Sequence, residues 1–320
     1  MKIIKKLMQI ALAVFFFGLL ATNTVFADDS EGWQFVQENG RTYYKKGDIK
    51  EKAWRVIDGK TYYFDHVSGE MVVGWQYIPF PSKGSTIGPY PNGLRLESMP
   101  MPQWYYFGQD GVLQEFVGKQ VLEAKTATNT NKHHGEQYDS PAEKRVYYFE
   151  DQRSYHTLKT GWVYDEGHWY YLLKDGGFDS RINRLTVGEL ARGWTNDNST
   201  WYYLDPTTAA MQTGWKYLGN KWYYLRSSGA MATGWYQEGS TWYYLDQPNG
   251  DMKTGWQNLG NKWYYLRSSG AMATGWYQDG STWYYLNAGN GDMKTGWFQV
   301  NGKWYYAYSS GALAVNTTVD

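Results

Sequence analysis

The chain has no cysteine, so it is built without disulfides. Proline is scarce: of 9 residues, Pro79, Pro81, Pro89, Pro91, Pro100 and Pro102 crowd into one stretch, leaving the remainder open to strand ladders. Charge of one sign is missing, with 31 basic against 31 acidic side chains. No segment after the first twenty or so residues is apolar for long enough to span a bilayer. Ile, Leu and Val are too sparse for an ordinary aliphatic core. What the chain has instead is rings and turns: 18 Trp, 31 Tyr, 12 Phe and 36 Gly, a core of stacked aromatics in an elongated array.

Residues 1–27 read as a secretory signal peptide. Lys2, Lys5 and Lys6 precede an apolar run from Met8 to Leu20, and Val25-Phe26-Ala27 ends on a small residue. A retained anchor is the alternative, against which stand the short run and the cleavage-like site. The leader carries three lysines and no acid, so the mature chain has an excess of about three acids. That argues against nucleic acid as a partner.

From Gly193 onward the Gly-Trp tryptophans Trp194, Trp215, Trp235, Trp256, Trp276 and Trp297 are spaced 21, 20, 21, 20 and 21. Two kinds of repeat therefore alternate, with a true period of 41. Seven residues after each comes a triplet such as Trp222-Tyr223-Tyr224, and Met211, Met231, Met252, Met272 and Met293 stand four residues before the tryptophan of the Gly-Trp that follows. Gly219-Asn220, Gly239-Ser240 and Asn301-Gly302 between the two tryptophans are hairpin turns. With Gly219-Asn220 as the turn, Tyr217 faces Trp222 and Trp215 faces Tyr224. Trp215, Tyr217, Trp222 and Tyr224 then share one side while Tyr223 and Leu225 share the other. A lone hairpin is marginal in water, so the fold expected is all-β, a β-solenoid of stacked hairpins.

The first half, residues 28–192, repeats the pattern in worn form. Trp33, Trp54 and Trp75 keep the spacing, Asn39-Gly40 and Asp58-Gly59 the turns and Met71 the methionine place, but Thr42 and Thr61 replace the second tryptophan. Irregular loop insertions are expected at 76–103, 119–145 and 173–192, with Trp104-Tyr105-Tyr106 resuming the repeat as a second strand and residues 193–320 forming the regular module.

The regular array, as in Gly214-Trp215-Lys216-Tyr217-Leu218-Gly219-Asn220-Lys221-Trp222-Tyr223-Tyr224-Leu225, closely resembles the repeats of the pneumococcal choline-binding proteins. The worn half resembles the small members built almost wholly of repeats, the choline-binding protein F type. The resemblance implies a left-handed superhelix binding phosphocholine of teichoic and lipoteichoic acids, with each site made by two tryptophans of one repeat, an aromatic of the next and a nearby Met or Leu. Carried onto this chain, with the second tyrosine chosen because it shares the tryptophan face, the boxes are Trp194, Trp201 and Tyr224; Trp215, Trp222 and Tyr244; Trp235, Trp242 and Tyr265; Trp256, Trp263 and Tyr285; and Trp276, Trp283 and Tyr306. Met211, Met231, Met252, Met272 and Met293 wall them. Trp162 and Trp169 offer another pair whose partner the insertion leaves open, and the front repeats without a second tryptophan form no complete box. A quaternary ammonium has no hydrogen to donate, so ring faces around its methyl groups suit it, at about 0.5 to 2 kcal/mol per contact. Beside this stands the plainer reading that the rings are only core.

No catalytic residue is assigned. Glu115, Glu123, Glu136, Asp139 and Glu143 lie in or near insertions with no rigid frame to set two carboxylates at a working distance. His133-His134, on a polar stretch without Cys or helix-spaced partners, reads as solvated, so no metal and no cofactor beyond the ligand choline is expected. The expected protein is a secreted, non-enzymatic surface protein attached non-covalently to the cell wall, modulating choline-dependent wall hydrolases by occupying the same phosphocholines. The alternatives are an adhesin that binds a host protein through the irregular first half, and a glucan-binding repeat protein.

Overall fold

The computed structural model describes residues 25–28, 32–79, 102–125, 144–151, 156–174, 178–179 and 184–315. Most of the expected signal peptide lies outside the described residues. Its last residues fall in the strand Val25–Asp28, which pairs antiparallel with Gln34–Glu38. Every regular element among the described residues is a strand. The chain divides into two compact units, one of residues 1–161 with 172–190, the other of residues 162–171 with 191–320.

In the second unit, two-stranded hairpins follow one another, for example Gly214–Leu218 with Lys221–Leu225, then Gly234–Glu238 with Thr241–Leu245. The register is the expected one, with Trp215 opposite Tyr224, Lys216 opposite Tyr223 and Tyr217 opposite Trp222. From Gly219 onward turn chemistry follows the 41-residue period, whereas Asn198-Ser199, 41 residues before Gly239-Ser240, has positive φ at both residues (50° and 64°). Gly219 and Asn220 both have positive φ (55° and 63°), as a type I′ turn requires, whereas at Gly239-Ser240 only the glycine does (58°), as in type II′.

A two-stranded hairpin leaves its outer backbone groups unpaired, and the stack uses them. The residue in the methionine place donates its N–H to the carbonyl in the second-tryptophan place of the hairpin before: Met231 to Trp201, Met252 to Trp222 and Met293 to Trp263 at 2.8 Å, Met272 to Trp242 at 2.7 Å. Worn copies keep the bond, Met71 to Thr42 and Leu113 to Thr61 at 2.8 Å. Because main chain makes it, this joint survives loss of the tryptophan. Each methionine side chain then lies against the loop glycine of the next repeat, so a Cβ on Gly250 (φ 74°) would overlap the Met231 sulfur. Lys221 and Lys262 add ion pairs at 3.3 Å to Asp251 and Asp292 of the next loop.

The first unit is built of the same joints around a buried aromatic core. Trp54 packs on Tyr63 and Tyr105 at 5.3 and 4.9 Å. Trp75 packs on Tyr147 and Phe149 at 4.7 and 5.8 Å. The loop boundaries expected from sequence change here. Gly74–Pro79 pairs with Pro102–Phe107, Pro79 opposite Pro102, so the proline stretch opens only beyond the ladder's end, where no N–H is needed. Gly118–Glu123 pairs with Lys144–Phe149, so Lys119 to Glu123, Lys144 and Arg145 are strand, with Leu122 buried and its neighbours Val121 and Glu123 exposed. Within 173–192, Phe178–Asp179 pairs with Arg184–Leu185. The centres of the first two insertions, residues 80–101 and 126–143, lie outside the described residues, and with them His133, His134, Glu136, Asp139 and Glu143.

Candidate functional site: open aromatic cages between hairpins

At each joint of the regular unit, the first tryptophan of one hairpin meets the first tyrosine of the next. The ring centroids lie 4.7 Å apart for Trp162–Tyr202 and Trp256–Tyr284, 4.8 Å for Trp215–Tyr243 and Trp276–Tyr305, and 4.9 Å for Trp194–Tyr223 and Trp235–Tyr264. The second tryptophan stands across from the first: Trp235 and Trp242 are 6.4 Å apart with their planes at 85°, Trp276 and Trp283 likewise at 81°.

Two clefts show the result. One, of about 410 Å³, is lined by Trp215, Trp222, Tyr243 and Met252, with Glu238 and the Ser268-Ser269 turn at its rim. The next, of about 270 Å³, is lined by Trp235, Trp242, Tyr264 and Met272, with Gly289 and Asn290 at its rim. The second tryptophans keep much of their surface open, 44% for Trp222 and 43% for Trp263. An indole face left in water beside a perpendicular indole is a costly arrangement for a core and a suitable one for a cation's methyl groups.

The tryptophans proposed from sequence are therefore brought together in pairs, but the tyrosines are not the ones chosen. Tyr224, Tyr244, Tyr265, Tyr285 and Tyr306 pack on the first tryptophan of their own hairpins, at 5.2 Å for Trp215–Tyr224 and 4.9 Å for Trp276–Tyr285. The reason is the direction of stacking. Hairpins repeated head to tail meet through unlike faces, so the tryptophan face of one meets the opposite face of the next, which carries the first tyrosine. Met252 and Met272 line the Trp215 and Trp235 cages. By the same backbone joint Met231 belongs with Trp194, Met293 with Trp256, and Met211 with Trp162. The Trp162–Trp169 pair thus has its partners, Tyr202 and Met211, and Leu313 takes the methionine place beside Trp283.

Sequence reading missed an alternation between cages. The indole N–H of Trp215 donates to Glu238 of the next hairpin at 3.0 Å, and Trp162 and Trp256 donate to Asp197 and Asp279 at the same distance. In the intervening cages the corresponding residues are Leu218, Leu259 and Val300. The 41-residue period was the available signal. Beside the acidic cages, Tyr224 and Tyr236 stack at 3.9 Å, and the Tyr236 phenol is pushed up by burial, by its hydrogen bond with Tyr224 and by the nearby Glu238.

Of the carboxylates considered for catalysis, Glu123 accepts from the Tyr106 hydroxyl at 2.8 Å. Its own backbone amide and Tyr106 hold it below the usual carboxylate range, which suits a fixed acceptor better than a general acid. Among the described residues no cluster of three or more His, Cys, Asp or Glu is placed to hold a metal.

Stacked hairpins joined through tryptophan-lined clefts define a repeat protein of the choline-binding class. The choline-binding repeat model matches residues 212–254 and 253–298, and a cell wall binding repeat model matches 102–113, 160–178, 193–207 and 295–313. Three similar solved structures cover nearly the whole chain. CbpJ from Streptococcus pneumoniae TIGR4 is 74% identical over 90% of this chain and 96% of its own, with a TM-score of 0.79. Choline binding protein F from Streptococcus pneumoniae, in the presence of a tetrasaccharide-pentapeptide peptidoglycan analogue, is 61% identical over 91% and 96%, with a TM-score of 0.80. The complex of CbpF with ipratropium is 57% identical over the same shares, with a TM-score of 0.75. No curated protein sequence matches. The chain belongs to the pneumococcal choline-binding protein family and is a choline-binding protein of the cell-wall surface.

Proposed function

We propose that the six cages from Trp162 to Trp283 each take the trimethylammonium group of a phosphocholine on teichoic or lipoteichoic acid. The exported protein is thereby held non-covalently on the wall without chemistry of its own. The observation that carries this reading is the repeated cage, the first tryptophan of one hairpin against the first tyrosine of the next with a second tryptophan and a Met or Leu beside them, at consecutive joints of one unit. Ipratropium, found with CbpF, carries a quaternary ammonium, the group such cages suit. One cage of this kind binds weakly, at about millimolar or roughly −4 kcal/mol. Several cages on a polymer of many phosphocholines gain about 10² to 10⁴ in avidity. By occupying phosphocholines that wall hydrolases also need, the protein restrains those enzymes.

Calorimetric titration of the protein with choline, with glucose oligomers as control, tests the first part. Heat from choline at about five or six sites and none from the oligomers is expected; oligomer heat without choline heat refutes it. Adding the protein to lysing choline-walled cells tests the second: lysis slows if the restraint is real, and an unchanged rate rejects it.

A further inference from the structure

The first unit contains a seventh cage with the same geometry, assembled from residues far apart in the chain. Trp75 and Trp104 stand 6.3 Å apart with planes at 80°, as Trp235 and Trp242 do. Tyr147, first tyrosine of the next hairpin, lies 4.7 Å from Trp75, and Leu158 in the methionine place donates its N–H to the Trp104 carbonyl at 3.0 Å. From sequence no box is assigned to Trp75 and Trp104, which flank the proline stretch, while Tyr147 follows a further insertion. Yet this cage is closed: Trp75 is only 1% exposed.

What closes it is a side chain of the protein. Lys125 is wholly buried, and its Nζ lies 4.0 Å from the centroid of Tyr147, 4.6 Å from Trp75 and 5.7 Å from Trp104. A lysine ammonium is rarely taken fully out of water, and here it sits among three ring faces whose counterparts in the Trp215 and Trp235 cages stand around open space. We propose that Lys125 is the resident cation of a choline-type cage, a tethered ammonium that occupies the place of the soluble ligand. This cage is thereby closed to choline, and its binding contacts pin the chain just before residue 126 to the hairpin stack.

Two measurements test this, the first independent of the function proposed above. In the wild-type protein, the ε-methylene signal of Lys125, identified by its loss in Lys125→Arg, is expected upfield of every surface lysine because of the three rings. It should stay there at saturating choline. A signal at the surface-lysine position, or one that moves there as choline is added, overturns the proposal. The second measurement rests on the choline reading. Lys125→Ala, which empties the cage, is expected to bind one more choline than wild type, and Lys125→Ala combined with Trp104→Ala to lose that gain. A folded Lys125→Ala protein with an unchanged number of sites overturns the closed-cage assignment even if the other cages bind. Should no cage bind choline, the function fails while the methylene signal still decides the place of Lys125.

Discussion

The indole of Trp215 donates to the Glu238 carboxylate of the following hairpin at 3.0 Å, while Leu259 stands at the corresponding place beside Trp235. Alternate cages thus differ by one formal negative charge at the rim. A carboxylate near a bound ammonium adds Coulomb attraction, modest at an exposed rim and reduced by salt. Choline titrations at low salt are expected to resolve a tighter and a weaker class of site. Glu238→Leu should weaken one site of the tighter class about tenfold, or about 1.4 kcal/mol. A single class in wild type, or an unaltered isotherm in Glu238→Leu, contradicts the assignment.

Tyr243 walls the Trp215 cage, whereas Tyr244 supports Trp235 from within its own hairpin. Tyr243→Leu should abolish the Trp215 site in a choline titration with the other sites retained. Tyr244→Leu should keep the Trp215 site. The reverse result would restore the pairing expected from the hairpin face alone.

Exposure separates the tryptophans by what they do. Trp222, at 44% exposed, holds little of the fold, and Trp222→Ala should remove one choline site while changing the melting temperature of the ligand-free protein little. Trp75→Ala, at a position 1% exposed, should cost about 3 to 5 kcal/mol in thermal or denaturant unfolding. Equal losses of stability from the two would mean the open rings are core.

Gly250 has φ 74°, and a Cβ there would overlap the Met231 sulfur. Gly250→Ala should destabilise the regular unit by more than about 1 kcal/mol in thermal unfolding, combining the positive-φ penalty with the clash. Adding Met231→Ala should relieve the clash component alone, leaving the double variant more stable than the sum of the two single losses. Additive losses would show that Met231 does not touch the glycine.

Burial raises the Asp251 carboxyl, but its hydrogen bonds with Lys253 and Lys221 outweigh that, and the net shift is downward from 3.8. A group whose pKa is lowered on folding contributes stability that is complete above its unfolded value and is lost as pH falls through its folded value. The Gly214–Leu225 joint should therefore weaken below about pH 4, and Asp251→Asn should remove that part of the acid sensitivity. Melting temperatures of the two proteins between pH 6 and 3 decide it. Parallel curves would mean the ion pair adds nothing.

The hairpins were legible because their causes are local. The two-residue turns set the register, alternation along a strand sets which rings share a face, and the fixed period required stacking. Pairing of Trp75 with Tyr106 across the proline stretch was legible for the same reason, since Trp104-Tyr105-Tyr106 keeps the second-strand pattern. Less was legible where strands run into insertions. Lys119 breaks the Gly-Trp pattern, yet its strand forms because Lys144–Phe149 offers it a ladder.

The sequence by itself determined the repeat, the turn at each hairpin tip and the pairs of tryptophans, because each depends on residues within about twenty positions of one another. Only the tertiary structure decided which tyrosine completes a cage, since that depends on unlike faces meeting when hairpins stack in one direction. It also decided that Glu238 and Asp279 rim alternate cages, and that Lys125 fills one. Those contacts join neighbouring hairpins or cross an insertion: the 41-residue period marks that Glu238 and Asp279 alternate with Leu259 and Val300, but which ring each side chain meets depends on how the hairpins stack.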